Sequence, residues 1–229
     1  MANTWSSPLY SLTARNRKKI TVDVTSSVSA GLPPNKILAE TVVPFFSRKR
    51  VDRVVDFGAG ALRHCFPLLR AGIQVCAVEF EEQFSRPSCS AARKKAERSG
   101  NFSTLIWPKD FRDDNRRFDA ALLCYVLQTM PIPDERDLVM KLLRKKLTGN
   151  SYLLWMSRFG QIQNVPKDQE VGDGYFMSPD HELKSFVREF TTEETHKMME
   201  SFGFRRIRSL GERGTDQIFL YGRGGSTWP

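Results

Sequence analysis

Residues 54 to 64, VVDFGAGALRH, combine an apolar run with a carboxylate and two closely spaced glycines. A carboxylate such as Asp56 at the end of a strand can accept hydrogen bonds from a cationic amine or a hydroxyl group. Gly58 and Gly60 leave the backbone free of side chains, so a ligand can lie directly against the loop. The pattern therefore predicts a ligand-binding turn between a strand and a helix, and three classes of ligand compete for it.

Two of these classes contain phosphate, and the residues after the glycines disfavour both. A phosphate-binding loop needs a lysine followed by serine or threonine after the second glycine, and this chain has neither there. A dinucleotide-binding loop has a third glycine at the sixth position of its motif, where this chain has Arg63. A nicotinamide or flavin cofactor is therefore not expected.

The third class is a ligand that carries a cationic amine and no pyrophosphate. Glu79 closes the next apolar strand, nineteen residues after Gly60. A carboxylate at that position can accept both hydroxyl groups of a ribose. One acid for an ammonium group, Asp56, and one for a ribose, Glu79, describe S-adenosylmethionine.

From about residue 50 to residue 223 the chain resembles the class I S-adenosylmethionine-dependent methyltransferases. VVDFGAG is similar to their first motif, AVEF (77–80) to the second, PKDF (108–111) to the third and FDAALLCYVLQTMP (118–131) to the fourth. Leu62 departs from the family pattern, because many members carry a third glycine there.

This resemblance implies how the cofactor is held. Asp56 and the two glycines would lie near its methionine part, Glu79 at its ribose, and Asp110 with Phe111 at its adenine. The full set of predicted cofactor-binding residues is Asp56, Gly58, Ala59, Gly60, Glu79, Phe80, Asp110, Phe111, Cys124 and Tyr125.

Motifs typical of nucleic-acid methylation are missing. Where DNA amine methyltransferases carry (Asp/Asn)-Pro-Pro-(Tyr/Phe), this chain reads CYVL (124–127). Cys124 lacks the preceding proline of cytosine-C5 enzymes, and we interpret it as a packing residue. The chain looks more like members that methylate an O or N atom of a small molecule.

In those members an N-terminal segment and an insertion after the fifth strand usually roof the acceptor pocket. Residues 1–48 and about 160–190 fill these places here. Substrate contacts are predicted for Lys36, Gln128 and Tyr175, with Phe176 as a further candidate. No catalytic residue is assigned, because the cofactor supplies the reactivity. The candidates for moving a proton are Tyr125 and His181.

The charge of the chain keeps other acceptors open. The net charge is +9, and residues 1–50 hold eight basic residues against two acidic ones. Such an excess favours an anionic partner. The basic arm could hold an anionic small acceptor, or it could hold the phosphates of RNA or DNA. A third alternative is a non-catalytic partner protein that binds S-adenosylmethionine.

Predicted strands and helices alternate around these residues. Strands are predicted at 52–57, 73–80, 103–107, 118–127, 151–159, 205–210 and 215–223, and helices at 33–47, 61–72, 88–100, 134–149 and 191–204. The alternation predicts an α/β fold, a three-layer αβα Rossmann-like sandwich with a seven-stranded, mostly parallel sheet. The short link between the last two strands makes the last strand antiparallel.

The predicted organisation is an N-terminal arm and helix that cap the active site (1–48), a methyltransferase domain (49–223) and a tail (224–229). Four cysteines without a C-x-x-C pair and three scattered histidines predict no metal site. The apolar runs are too short to cross a bilayer, and no signal-like segment follows Met1. A basic, cytoplasmic protein without membrane contact is therefore expected, and its oligomeric state stays open.

Overall fold

The computed structural model describes residues 7–27, 32–160, 162–178, 180–211 and 216–225. Residues 1–6 and 28–31 of the predicted arm, residues 226–229 of the predicted tail and most of the link between the last two strands lie outside the described residues. The strands are β1 (Leu9–Thr13), β2 (Lys19–Asp23), β3 (Arg53–Phe57), β4 (Gln74–Glu79), β5 (Phe102–Ile106), β6 (Phe118–Cys124), β7 (Leu147–Arg158), β8 (Glu170–Val171), β9 (Gly174–Met177), β10 (Leu183–Val187), β11 (Arg205–Gly211) and β12 (Asp216–Gly222). The helices are α1 (Val43–Arg48, directly preceded by a π-helical segment, Leu38–Val42), α2 (Cys65–Arg70), α3 (Glu81–Ser85), α4 (Pro87–Glu97), α5 (Lys109–Asp113), α6 (Pro133–Lys146) and α7 (Thr192–Ser201).

Seven strands form the main sheet in the order β11-β12-β7-β6-β3-β4-β5. The pairs from β7 to β5 are parallel, whereas β12 runs antiparallel to both β7 and β11. This confirms the predicted mostly parallel sheet with an antiparallel last strand. Because β3 has β4 on one side and β6 on the other, the chain reverses its direction of travel across the sheet at β3. In open α/β sheets, ligands bind at the carboxyl ends of the strands at such a point.

The central strands β3, β4 and β6 of the main sheet are almost completely buried because both faces of the sheet are covered. In β6, Leu122 packs into the core on one face and Leu123 into the core on the other, since side chains alternate along a strand. The core on the Leu122 face includes residues of α1, α2 and α4, and the core on the Leu123 face includes residues of α5, α6 and α7. The predicted three-layer αβα sandwich is therefore confirmed.

A second sheet of five strands, the small sheet, has the order β1-β2-β10-β9-β8. No strand is predicted in the N-terminal arm or in the insertion, yet both contribute strands to this sheet. β1 and β2 form an antiparallel hairpin, and β2 pairs in parallel with β10 at Leu183 and Lys184. The sequence gives little sign of this sheet, because its strands have at most five residues and its two halves come from distant parts of the chain.

Proline sets the start of two helices. Helix α2 begins at Cys65, so Pro67 lies in its first turn, where a missing N–H removes no helical hydrogen bond. The expected helix over 61–72 is therefore shorter and starts after the loop. In α6, Pro133 takes the first helical position after the extended residue Ile132.

Further local features agree with the sequence or add to it. The Thr191 hydroxyl accepts the Glu194 N–H, and the Glu194 carboxylate accepts the Thr191 N–H, which together form a capping box at the start of α7. All four cysteines are buried and free. No helix in the described part of the chain is long and apolar enough to cross a membrane.

Candidate functional site

A cavity of about 540 Å³ lies at the carboxyl ends of the central strands. Its volume is within the range of small-molecule and cofactor sites. One wall comes from the loop after β3 and the ends of β4, β6 and β7, and the opposite wall comes from the small sheet and the residues after β2. The predicted residues that line it are Gly58, Ala59, Gly60, Glu79, Phe80, Cys124, Tyr125 and Gln128.

The loop after β3 requires glycine for steric reasons. Gly58 has a φ of +69°, and its N–H donates to the carbonyl of Val78 at 2.9 Å. A Cβ at this position would lie 2.5 Å from Cγ2 of Val126, so no larger residue fits without a shift. Leu62, where the family resemblance predicts a glycine, also has a positive φ of 62°. The loop therefore keeps a left-handed residue at this position although the side chain makes it costly.

Glu79 is fixed at the floor of the cavity by two backbone amides. Its Oε2 accepts the N–H of Gly60 at 2.9 Å, and its Oε1 accepts the N–H of Phe80 at 3.0 Å. Burial raises the pKa of the Glu79 carboxyl, and these two hydrogen bonds oppose that rise. Since each carboxylate oxygen has two lone pairs, each oxygen can accept a further hydrogen bond from a hydroxyl group.

Asp56 lies behind the loop, outside the set of residues that line the cavity. Only 1 % of its surface is exposed, and its Oδ2 accepts a hydrogen bond from the Cys65 thiol at 3.2 Å. Burial raises the pKa of Asp56 to about 7. The strand turns the Asp56 side chain toward the start of α2, so this predicted residue does not line the cavity.

Trp107 occupies the place at the cavity wall that was predicted for Asp110 and Phe111. Its ring packs edge-on against Phe57 at 4.9 Å, and its indole Nε1 has no hydrogen-bond partner among the described residues. Phe111 is fully buried against Phe57, and Asp110 accepts the N–H of Ile106 at 3.1 Å, which closes the end of β5. Both predicted residues thus support the wall from behind.

Tyr125, at the other end of the cavity, has a strained backbone. Its φ is +65°, which is rare for a bulky residue, and its N–H donates to the carbonyl of Met156 at 2.7 Å. Its hydroxyl donates to Asp216 at 3.1 Å, and burial raises the phenol pKa. Burial also raises the thiol pKa of neighbouring Cys124 well above its ordinary value, so neither group ionises near neutral pH.

The residues predicted to contact the acceptor lie mostly outside the cavity wall. Gln128 lines the cavity, and its Oε1 accepts the N–H of Arg158 at 2.8 Å. The Lys36 side chain is 82 % exposed and pairs with Glu40. Tyr175 and His181 are not among the residues that line the cavity, and the exposed His181 accepts a hydrogen bond from Lys184 through its carbonyl.

Several lining residues were missed by the sequence analysis: Val24, Thr25, Arg63, Trp107, Arg158, Met177, Ser185, Phe186 and Val187. Phe176, a further candidate for the acceptor pocket, is buried within the small sheet, while its neighbour Met177 lines the cavity. Of the missed residues, Arg63 had a usable signal, since it stands at the position that breaks the dinucleotide motif.

No family model matches this chain, and no curated protein sequence matches it. Solved structures do match. The CcbJ methyltransferase of Streptomyces caelestis is 15 % identical and superposes with a TM-score of 0.63, over 89 % of this chain and 96 % of its own. An S-adenosylmethionine-dependent methyltransferase of Clostridium acetobutylicum is 15 % identical, with a TM-score of 0.61 over 88 % and 95 % of the two chains. The 1,6-didemethyltoxoflavin-N1-methyltransferase of Burkholderia thailandensis is 18 % identical, with a TM-score of 0.58 over 83 % and 80 %.

The fold is that of the class I S-adenosylmethionine-dependent methyltransferases. At identities of 15 to 18 % the likeness establishes the fold and leaves the activity to be argued from the site. Within this methyltransferase fold, the cavity extends from the glycine loop and Glu79 past Trp107 on one side and to Tyr125 on the other.

Proposed function

We propose that this protein is an S-adenosylmethionine-dependent methyltransferase that acts on an O or N atom of a small acceptor. The observation that carries the proposal is the Glu79 carboxylate, oriented by Gly60 and Phe80, beside a glycine loop in a cavity at the switch point of the sheet. A neighbour of the same fold, from Burkholderia thailandensis, was crystallised with its methyl acceptor and S-adenosylhomocysteine.

The donor and acceptor groups of the cavity suit an adenosine. Glu79 has lone pairs left for two ribose hydroxyls. Trp107 and Phe80 supply apolar faces for a base. The Nε1–H of Trp107 has no hydrogen-bond acceptor among the described residues, and a ligand or a small shift of the ring could supply one. A dinucleotide would present a similar ribose, but its pyrophosphate loop needs a third glycine where this chain has Arg63, so the residues fit S-adenosylmethionine better.

The residues of this chain would contribute binding, orientation and exclusion of water. When bound, S-adenosylmethionine supplies an electrophilic methyl group on a sulfonium. The cavity walls would hold the acceptor atom in line, which is worth a large part of a displacement barrier. The Tyr125 phenol keeps its proton, because burial and the Asp216 carboxylate raise its pKa, so it acts as a donor and not as a base. An amine with a free lone pair needs no base for the attack.

The contacts of the N-terminal arm favour a small acceptor over nucleic acid. Arg15 pairs with Glu170 of the small sheet, and Lys36 pairs with Glu40, so part of the basic excess already serves contacts within the chain. RNA or DNA and a non-catalytic role remain as outcomes of the test.

Calorimetric titration with S-adenosylmethionine and S-adenosylhomocysteine tests the proposal. We expect micromolar binding by the wild type and a loss of at least tenfold in Glu79→Ala, because a charged hydrogen-bond acceptor is removed. Glu79→Gln keeps the acceptor oxygen for one amide and guards against a folding defect, and Glu97→Ala, an exposed acid of α4, is the matched control.

Transfer of labelled methyl groups into metabolite, RNA and DNA pools then separates the acceptors. Label in small molecules supports the proposal, and label in nucleic acid supports the alternative. Binding without transfer into any pool points to a non-catalytic role. A folded wild type that binds neither nucleoside contradicts the proposal.

A further inference from the structure

Two guanidinium groups stand at the Tyr125 end of the cavity. Arg63, in the loop before α2, and Arg158, the last residue of β7, both line the cavity, and they lie 5.7 and 5.3 Å from the centroid of the Tyr125 ring. Arg63 makes no ion pair among the described residues. Arg158 approaches Asp216 at 3.9 Å, the outer limit of an ion pair. Positive charge is therefore incompletely neutralised at this end.

Tyr125, which both guanidinium groups approach, has an unfavourable backbone conformation. Its positive φ is maintained by the hydrogen bond from its N–H to Met156 and by the hydroxyl bond to Asp216. Asn35, from the segment before α1, donates to the same hydroxyl at 3.4 Å. Strain of this kind persists where the surrounding structure fixes a side chain for function. The ring thus gives the two arginines a fixed support.

The nearby acids are already engaged. Glu79 accepts two backbone amides, Asp56 lies behind the loop, and Asp216 accepts the Tyr125 hydroxyl. A cationic acceptor would meet two guanidinium groups and the sulfonium of the cofactor, and like charges in a partly enclosed cavity repel strongly. An anionic acceptor would be attracted by all three.

We infer that the Tyr125 end of the cavity binds an anionic group of the methyl acceptor, a carboxylate or a phosphate, through Arg63 and Arg158. The inference rests on the proposed function and narrows it to acceptors that carry such a group near the atom that is methylated. Arginine suits this role because its planar donors pair with carboxylate and phosphate oxygens.

Inorganic phosphate is the probe for this site. We expect phosphate, added at constant ionic strength to the protein loaded with S-adenosylhomocysteine, to raise the melting temperature with a saturable dependence. Arg63→Gln and Arg158→Gln should each raise the half-saturating concentration at least tenfold, since each removes charge-assisted hydrogen bonds. Arg63→Lys should recover part of the affinity. Arg70→Gln, at the exposed far end of α2, is the control and should match the wild type.

A second arm distinguishes the acceptor from the carboxylate of the cofactor. Binding of S-adenosylhomocysteine is compared with that of 5′-methylthioadenosine, which lacks the amino-acid part. If Arg63→Gln weakens the first ligand tenfold and leaves the second unchanged, the arginine holds the cofactor and the inference is overturned. Phosphate that displaces S-adenosylhomocysteine, or that binds the arginine variants as well as the wild type, also overturns it. If neither S-adenosylhomocysteine nor 5′-methylthioadenosine binds the wild type, the proposed function is rejected, and this inference with it.

Discussion

The main sheet and the small sheet pack into one core, yet they arise from different sequence signals. In the main sheet, every position of β6 except Asp119 is apolar, and residues 152–156 of β7 form an uninterrupted apolar run, because helices cover both faces. In the small sheet, β1 alternates between exposed residues and the less exposed Tyr10 and Leu12, and in β2 the half-buried Thr21 lies between the buried Ile20 and Val22. The buried strands of the main sheet can therefore each be predicted from their own sequence, whereas the small sheet depends on pairing between distant segments.

The two walls of the cavity show the same division. The main-sheet wall carries the glycine loop, Glu79 and Tyr125, which supply polar groups and a fixed backbone path. The small-sheet wall is mostly apolar, with Phe186 and Val187 as examples. Under the proposed function, the main-sheet wall would hold the cofactor and the anionic group of the acceptor, and the small-sheet wall would shape the remaining space for the acceptor.

The largest expected effects come from deleting buried side chains in each sheet. Leu122→Ala, in the middle of β6, should lower the free energy of unfolding by about 2–5 kcal/mol through lost burial and a cavity. Val22→Ala, in β2, removes less apolar volume and should cost about 2 kcal/mol. Urea denaturation followed by circular dichroism measures both.

Hydrogen exchange of the same two variants shows whether the sheets unfold separately. We expect Leu122→Ala to weaken amide protection in both sheets, because it destabilises the unit on which the small sheet packs. Val22→Ala should weaken protection mainly in β1, β2 and β10. Equal loss of protection throughout the chain in both variants would show that the two sheets form one cooperative unit.

A buried carboxyl at the junction of the sheets should make stability depend on pH. Glu135, in the first turn of α6, is fully buried, and the hydroxyl of Tyr10 in β1 donates to it at 2.6 Å. Burial raises its pKa from 4.5 to about 7. The folded protein therefore takes up a proton more readily than the unfolded chain, so this contribution to stability is complete below about pH 4.5 and is lost as the pH rises to about 7.

Glu135→Gln should reduce the fall in unfolding free energy between pH 5 and pH 8 by about 1–2 kcal/mol. Asp56→Asn is the matched variant in the main sheet, because burial also raises the pKa of Asp56 to about 7. Urea denaturation at several pH values measures both contributions. If Glu135→Gln keeps the pH profile of the wild type, the Glu135 carboxyl does not contribute to the pH dependence of stability.

The main sheet could be predicted because its information is local. Most of its strands contain a short apolar run next to a helix pattern, and parallel order follows from that alternation. The small sheet could not be predicted in this way, because the partners of β2 are set by tertiary packing with β10. Helix starts were displaced where proline lies near the first turn, as at Pro67.

The site shows the same limit. Residues fixed by the loop after β3 and by the end of β4, such as Gly58 and Glu79, could be located from motif spacing. Residues that reach the cavity from separate elements, such as Arg158, could not. Lys36 and His181 were assigned by their chemistry alone, and the fold leaves both outside the cavity wall.

The capping box of α7 provides the smallest test of the comparison, since it is a local motif attached to the main sheet. Thr191→Ala removes the hydroxyl that accepts the Glu194 N–H at 3.1 Å and should lower the free energy of unfolding by about 1 kcal/mol. Lys197→Ala, on the exposed face of the same helix, should leave it unchanged. Because Met199 of α7 belongs to the core shared by the two sheets, the loss in Thr191→Ala should appear in global denaturation. If amide protection falls only within α7 while the global midpoint stays constant, the helix frays independently and contributes to neither sheet.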